Sequence, residues 1–126
     1  MTSKINNNFS NLEINVFKSG IKKNKSDLLY IKLPKNSSIA GVFTKSLAAS
    51  PAVNFCKKNL SKKENRARAI LVNSGNANAF TGKIGNNCVQ ELTSYLSNKL
   101  KCPHDEIYTS STGVIGEFLD PKIIIN

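Results

Sequence analysis

The chain has 126 residues, 40% of them hydrophobic, which is enough for the core of one domain and is unlike the composition of a disordered protein. Its formal net charge is +10, from 18 Lys and Arg residues against 8 Asp and Glu residues. No apolar run is long enough to span a membrane, and the N-terminal residues resemble neither a secretory signal nor a transit peptide, so we expect a cytoplasmic protein that does not bind a membrane.

Three short strands are predicted in the first part of the chain, after a polar tail over residues 1–12 that we expect to be flexible. Ile14 and Val16 alternate with polar residues, which is typical of a half-buried strand. The apolar run Leu28–Leu33 predicts a second strand that ends at the proline following it. Ile39–Thr44 predicts a third.

Two helices and a buried strand are predicted in the middle of the chain. Ala48–Asn59 is predicted to be a short helix with Pro51 in its first turn, and Ala67–Val72 to be the buried strand. A longer helix begins near Gly82 and ends before Pro103. Its apolar residues fall on one face: Ile84, Cys88, Val89, Leu92, Leu96 and Leu100.

The last part of the chain repeats the order of strand, loop and helix. Glu106–Thr109 predicts a strand, and the segment SSTGVIGE over Ser110–Glu117 predicts a loop. Asp120 and Pro121 then suit the start of another helix, as N-cap and first helical residue. The order predicts an α/β or mixed α+β fold in a single partial domain over residues 1–126. Because the last residues open an apolar segment, we expect the chain to be the front part of a longer protein.

The basic and sulfur-containing residues favour no separate site. Six basic residues cluster around Glu64, namely Lys57, Lys58, Lys62, Lys63, Arg66 and Arg68. A nucleic-acid footprint would have such a charge, but no aromatic residue in the cluster can stack on a base, which favours a solvated surface. Cys56, Cys88 and Cys102 form no CxxC pair, so we expect core or surface thiols and no metal site.

The segment NSGNANAFTG, which follows the buried strand, has a restricted composition of small and turn-forming residues. It is not a nucleotide cradle, because the following Lys83 is succeeded by Ile84 and not by Ser or Thr. Gly75 can take a positive φ, and the asparagines can bond to nearby backbone. The residues leave two interpretations open, namely a self-satisfied turn that supports another element and a loop that contacts a ligand.

The second small-residue loop contains adjacent hydrogen-bond donors. Gly113 and Gly116 form a GxxG pattern, but the residues between them are apolar and cannot meet phosphates as an RNA-clamping loop does. The Thr112 hydroxyl and the Gly113 backbone N–H can instead form an oxyanion hole. On chemistry alone an ordinary Ser/Thr turn is the better interpretation, because Thr-Gly pairs are common.

Three segments together resemble one enzyme family. They are AGVFTKSLAASPAV (Ala40–Val53), AILVNSGNANAFTGKIG (Ala69–Gly85) and STGVIGE (Ser111–Glu117). Ser19–Lys23 and the Asp-Leu-Leu that starts at Asp27 also resemble the opening of that family. The family is the ArgJ family of arginine-biosynthesis ornithine acetyltransferases.

The resemblance implies a layered αββα architecture of the DmpA/ArgJ type, of which this chain is an incomplete front portion. It implies transfer of an acetyl group from N2-acetyl-L-ornithine to L-glutamate through an acetyl-threonine enzyme, with acetyl-CoA as a possible second donor and no cofactor or metal. Family members cut themselves into an α and a β chain, and two such pairs usually associate. The expected partners are therefore the protein's own β chain and the small-molecule substrates, without nucleic acid.

Carried over residue by residue, the resemblance assigns the oxyanion hole to Thr112 and Gly113. The family's cleavage motif is missing, so the nucleophile and most substrate-binding residues are expected beyond Asn126, and we expect this segment alone to be inactive. NSGNANAFTG is expected to support the Thr112–Gly113 loop. The alternatives are a segment of another self-processing N-terminal-nucleophile hydrolase or aminopeptidase, or a basic nucleic-acid-binding module.

Overall fold

Five strands form one sheet in the order in which they occur along the chain, as seen in a computed structural model that describes residues 3–4, 11–62 and 64–126. The first four strands pair antiparallel, whereas the fifth runs parallel to the fourth and is joined to it through the long helix. This mixed sheet with its helices confirms the predicted α+β class. The elements are β1 (Ser3–Lys4), β2 (Glu13–Phe17), β3 (Leu28–Ser38), α1 (Pro51–Leu60), β4 (Arg66–Asn76), α2 (Gly82–Leu100), β5 (Ile107–Val114) and α3 (Lys122–Ile125), with a 3-10 turn at His104–Glu106.

Helices α1 and α2 pack on one face of the sheet. Along β4 the odd-numbered residues Ala67, Ala69 and Leu71 are buried, because successive side chains of a strand point to opposite faces. Ala67 belongs to a cluster with residues of both helices, and Leu71 to a second cluster with residues of α2. The buried members of these clusters are Ala52, Phe55, Cys56, Ala67, Val89 and Tyr108, and Leu28, Leu71, Cys88, Leu92 and Leu119.

The opposite face of the sheet carries apolar side chains that are only half-buried. They form two rows across β2, β3 and β4, because residues paired in register lie side by side on the same face. The rows are Ile14, Ile31 and Ile70, and Val16, Leu29 and Val72, of which Ile70 also packs against the first cluster. This face, referred to below as the open face, has the composition of a core layer but not its burial.

Helix α1 begins at Pro51, three residues after the predicted start at Ala48, and Pro51 lies in its first turn as predicted. The Ser50 hydroxyl accepts a hydrogen bond from the Val53 N–H at 3.4 Å, and Pro51 occupies the first helical position. The helix docks on β5 through its buried Cys56, whose thiol donates to the Thr109 carbonyl at 3.2 Å and accepts from the Thr109 N–H at 3.3 Å. Burial raises the pKa of the Cys56 thiol, which suits a structural and unreactive group.

Helix α2 also follows its pattern, with one exception. Cys88, Val89 and Leu92 are buried, whereas Ile84, predicted on the same face, is 53% exposed because it lies in the first turn. The helix ends at Leu100, and Lys101 caps it with a left-handed φ of +50°. The three cysteines are free, two of them buried, as predicted.

The strand bounds differ from the prediction in the first half of the chain. The strand predicted over Ile39–Thr44 is wrong, since these residues belong to no strand. The chain instead continues β3 past Pro34, and the register shifts between Lys32 and Ser37. A proline lacks the N–H that a regular ladder needs, so it is tolerated at such an irregularity.

The two segments predicted to be loops are partly strand. β4 continues to Asn76 and β5 continues to Val114, because the two run parallel and complete each other's backbone hydrogen bonds. The predicted tail over residues 1–12 lies mostly outside the described residues, although Ser3–Lys4 pairs with β2. Among the described residues, no helix has both the length and the apolar character needed to cross a membrane.

Candidate active site

The two candidate donors lie at the end of β5, beside the end of β4. Thr112 pairs with Ser74, and Gly113 pairs with Gly75. Both candidate residues are exposed. Within the part of the chain that the structure describes, the Thr112 hydroxyl donates to no other residue. It is therefore available to an incoming group.

Gly113 lies close to the backbone of β4, and Gly75 lies close to the side chains of Ile21 and Lys22. Gly75 has a φ of +113° and Gly113 a φ of +133°, which side chains rarely allow. A Cβ atom on Gly113 would lie 2.6 Å from the Asn76 backbone nitrogen. A Cβ atom on Gly75 would lie 2.8 Å from Ile21 and 2.9 Å from Lys22. The backbone beside Thr112 is consequently fixed by contact on both sides.

Buried asparagines fix the end of β4. The Asn73 side-chain nitrogen donates to the Asn76 carbonyl at 2.8 Å, and the Ser111 hydroxyl donates to the Asn73 side-chain oxygen at 2.6 Å. The Asn76 side-chain oxygen accepts from the Asn78 N–H at 2.7 Å. Because Ser111 precedes Thr112, this network connects the turn after β4 directly to the candidate donors.

The second half of the same segment is tied to the start of α2. Asn78, which is 1% exposed, donates from its side chain to the Gly85 carbonyl at 3.1 Å. The Thr81 hydroxyl donates to the Asn78 side-chain oxygen at 3.0 Å and is 3.2 Å from its carbonyl oxygen. A Cβ atom on Gly85 would lie 2.7 Å from the Asn78 side-chain oxygen, so glycine leaves the room that this network needs.

The segments after β4 and β5 are joined by three hydrogen bonds. The Ala77 N–H donates to the Val114 carbonyl at 2.9 Å, and the Gly116 N–H donates to the Ala79 carbonyl at 2.9 Å. The Asn76 side-chain nitrogen donates to the Glu117 carbonyl at 3.2 Å. The prediction that NSGNANAFTG packs beside the Thr112–Gly113 segment is confirmed. Its asparagines bond to other protein groups, as expected for a turn whose polar groups are satisfied within the protein.

Two residues near this site were given no role by the sequence. Asp27 is buried, and its carboxylate accepts hydrogen bonds from the backbone N–H groups of Ser19 at 2.6 Å, Gly20 at 3.1 Å and Lys22 at 2.8 Å. Burial acts to raise the pKa of Asp27, but these N–H donors outweigh it, and the pKa is lowered. The Lys22 ammonium in turn donates to the Ser74 hydroxyl at 2.5 Å. The sequence feature that could have indicated a structural role for Asp27 is its position as a single acidic residue directly before an apolar strand.

A cleft with a volume of about 440 Å³ lies elsewhere, between α2, β3 and the end of the chain. Its walls are mainly apolar and include Leu28, Tyr30, Leu71 and Leu92, whereas Thr112 and Gly113 are not among them. In the described ranges, no three His, Cys, Asp or Glu residues are grouped as a metal site would require. The donors at the strand ends are thus the stronger site, since the cleft offers few polar groups.

A model of the ArgJ family matches residues 13–126, which include every residue of this site. The chain belongs to the ArgJ family. The arginine biosynthesis bifunctional protein ArgJ of Bartonella henselae is 43% identical over 118 residues, which are 93% of this chain and 28% of that protein. The protein of the same name from Agrobacterium fabrum is 48% identical over 103 residues, 81% of this chain and 24% of its own length.

Solved structures of the ArgJ family share the fold. The crystal structure of arginine biosynthesis bifunctional protein ArgJ from Bacillus halodurans matches with a TM-score of 0.84 and 26% identity, covering 99% of this chain and 67% of that one. Ornithine acetyltransferase of Mycobacterium tuberculosis, solved in complex with ornithine, matches with a TM-score of 0.80 and 25% identity over 99% of this chain and 69% of its own. The chain spans about a quarter of the length of the curated relatives that it matches.

Several residues of the basic cluster around Glu64 have partners within the protein. Lys62 pairs with Asp105 at 2.7 Å, and Arg66 pairs with Glu64 at 3.3 Å. Arg68 donates to the Leu33 carbonyl at 2.5 Å. Lys63 lies outside the described residues. Much of the cluster's charge is therefore used within the protein.

Proposed function

We propose that this segment is part of an ornithine acetyltransferase, an enzyme that moves an acetyl group from N2-acetyl-L-ornithine to L-glutamate in arginine biosynthesis. Membership of the ArgJ family supports the proposal, as does the fold shared with a relative solved with ornithine bound. The single observation that carries it is the exposed Thr112 hydroxyl beside Gly113, which donates to no described residue and lies on backbone in close contact with its surroundings.

The pair suits the charge that acetyl transfer develops. Attack of a hydroxyl on the acetamide carbonyl breaks its π bond and places a negative charge on the oxygen. The Thr112 hydroxyl and the Gly113 N–H would donate to that oxygen, and donors already in place need no reorganisation as the charge forms. The C–N bond of the intermediate then breaks, the departing ornithine amine takes the proton that the base removed from the attacking hydroxyl, and the acetyl group stays on the enzyme as an ester.

The other parts of the reaction belong to the rest of the enzyme in this proposal. A threonine freed by self-cleavage supplies the attacking hydroxyl, with its α-amine as base. The α and β chains stay together, two such pairs associate, and glutamate accepts the acetyl group. Acetyl-CoA would be an alternative donor without any other cofactor. The 126-residue segment alone would not transfer acetyl groups, because it provides only the oxyanion hole.

The test replaces Thr112 in the complete enzyme. Thr112→Val keeps the shape of the side chain and removes its hydroxyl, so we expect kcat to fall about a hundredfold, the usual effect of losing one oxyanion donor. KM for N2-acetylornithine should change little, because the donor acts mainly on the transition state. Steady-state kinetics with N2-acetylornithine and glutamate give both constants.

Two controls make the result specific. Ser110→Ala removes an exposed hydroxyl two residues earlier on β5 and should leave kcat unchanged. Thr112→Ser restores a hydroxyl and should recover most of the rate. An unaltered kcat in Thr112→Val, or acetyl transfer by the purified 126-residue segment, would contradict the assigned role.

A further inference from the structure

The backbone N–H of Gly113 points away from β4, toward the outer edge of β5. Both backbone groups of Thr109 bond to the Cys56 thiol of α1, which lies at that outer edge. In a parallel ladder alternate residues direct their N–H and C=O groups to the same side, so Gly113 shares the direction of Thr109. The alternation continues through Gly113, because the Val114 carbonyl accepts at 2.9 Å from the N–H of Ala77, which directly follows β4. The N–H of the exposed Gly113 therefore reaches an acceptor without competing with the sheet.

The side chains of Thr112 and Val114 lie on either side of Gly113, on one face of the sheet. Side chains two residues apart on a strand point to the same face, about 6.6 Å from each other along the strand. Gly113 has no side chain, so an oxygen atom that accepts from the Thr112 hydroxyl and the Gly113 N–H occupies the gap between them. The chemical group attached to that oxygen then has Val114, which is 49% exposed, as its neighbour along the strand.

Exposed apolar side chains are concentrated near Val114. The Gly116 N–H donates to the Ala79 carbonyl at 2.9 Å, which brings the segment after β5 against the segment after β4. The exposed large apolar residues of this region are Phe80, Val114, Ile115 and Phe118. Exposed apolar residues are common singly, but several in one region indicate a contact surface. An alkyl group is therefore favoured beside Val114 over a charged group.

We propose that Val114 contacts the alkyl part of the transferred acyl group and so limits its length. This inference rests on the proposed acetyl transfer and names the feature of the donor that the site selects. The two donors fix the carbonyl oxygen, and Val114 is branched at its β carbon and has few rotamers, so neither side of the contact moves far. The methyl of an acetyl group fits against such a wall, whereas each further methylene is crowded. Val114→Ala removes two carbon atoms and makes room for a longer chain.

The kinetic test compares N2-acetyl-, N2-propionyl- and N2-butyrylornithine as donors to glutamate in the complete enzyme. In the wild type we expect kcat/KM to fall about tenfold or more with each added methylene, the usual discrimination of an apolar contact. Val114→Ala should lower the ratio of kcat/KM for the acetyl donor to that for the butyryl donor by about tenfold or more. The change should come from a gain with the butyryl donor, while the constant for the acetyl donor changes little.

Two further variants make the result specific. Val42→Ala is the matched control, because it makes the same change at an exposed valine in the loop between β3 and α1 and should leave the ratio unchanged. Val114→Ile adds a methylene and should shift the ratio in the opposite direction to Val114→Ala. An acetyl-to-butyryl ratio that is the same in the wild type and Val114→Ala would overturn the proposal. So would equal losses with all three donors, because a purely structural role produces them.

Acylation by p-nitrophenyl acetate and p-nitrophenyl butyrate separates this inference from the proposed function. Release of p-nitrophenol by the complete enzyme requires neither ornithine nor glutamate, and Thr112→Val gives the background. If no acetyl group passes from N2-acetylornithine to glutamate, the proposed function fails and the two esters alone decide for Val114. A lower acetate-to-butyrate ratio in Val114→Ala then supports the contact. An unchanged ratio, or a rate no higher than the background, refutes it.

Discussion

Among single residues, Asn78 is the clearest example of a polar side chain used for structure. Asn78→Ala removes the two side-chain hydrogen bonds that join this segment to the Gly85 carbonyl and to the Thr81 hydroxyl, so we expect it to lower the free energy of unfolding by about 1–3 kcal/mol. Urea unfolding measures this loss. Asn86→Ala is the control, since its exposed side chain bonds only to Gly82 within α2, and it should cost no more than about 0.5 kcal/mol. Unchanged unfolding of Asn78→Ala with a raised KM in the complete enzyme would show that the segment contacts substrate instead.

Some of the individual residues of the candidate site could be predicted from the sequence. The importance of Thr112 and Gly113 came from family resemblance, because a Thr-Gly pair alone is too common to indicate a site. The register that places Gly75 against Gly113 could not be predicted, since it depends on strands continuing into segments of turn-forming composition. The contact of Lys22 could not be predicted either, because no local sequence feature indicates that its side chain bonds to Ser74, which is distant in sequence.

Among the elements, the loop from Ser19 to Asp27 should make stability depend on pH. Asp27 has a folded-state pKa below its ordinary value of 3.8, so its carboxylate contributes stability that is fully present above that value. The contribution is lost as pH falls through the folded-state pKa. We expect Asp27→Asn to cost about 2 kcal/mol at pH 7 and to flatten the pH dependence of the free energy of unfolding below about pH 5.

Urea unfolding at a series of pH values measures that dependence. Asp105→Asn is the control: hydrogen bonding to Lys62 lowers the pKa of Asp105 too, but the pair lies at the surface and should contribute less. If the free energy of unfolding depends on pH in the same way in the wild type and in Asp27→Asn, ionisation of the Asp27 carboxyl does not stabilise the loop.

Helices were predicted better than strands, for a physical reason. Ser50 and Pro51 start α1, and a seam of apolar residues defines α2, so both signals are local. Strand ends depend on partners instead. A proline such as Pro34 ends a strand only where its backbone N–H would have to donate to the neighbouring strand. At the register shift in β3 no such hydrogen bond is needed. Likewise β5 continues to Val114 because β4 is available beside it.

For the whole molecule, the open face predicts a further layer in the complete enzyme, as the expected αββα architecture requires. Ile31→Ala should cost about 1 kcal/mol or less in the 126-residue chain, where the side chain is half-exposed, and about 2–4 kcal/mol in the complete enzyme. Denaturant unfolding of both proteins gives the two values. Leu71→Ala, already buried under α2, should cost a similar amount in both. Equal small costs for Ile31→Ala would mean that no layer covers this face.

The parallel pairing of β4 and β5 sets an order of events during synthesis. β3 and β4 are joined by a long connection that contains α1, and β5 then reaches β4 only through the parallel crossover that contains α2. Thr112 thus meets Ser74 late in the maturation of the segment. A newly made chain with β2, β3 and β4 already assembled can form the Lys22–Ser74 hydrogen bond, but Thr112 does not yet lie beside Ser74. Any role that needs both strand ends must wait for the crossover to close.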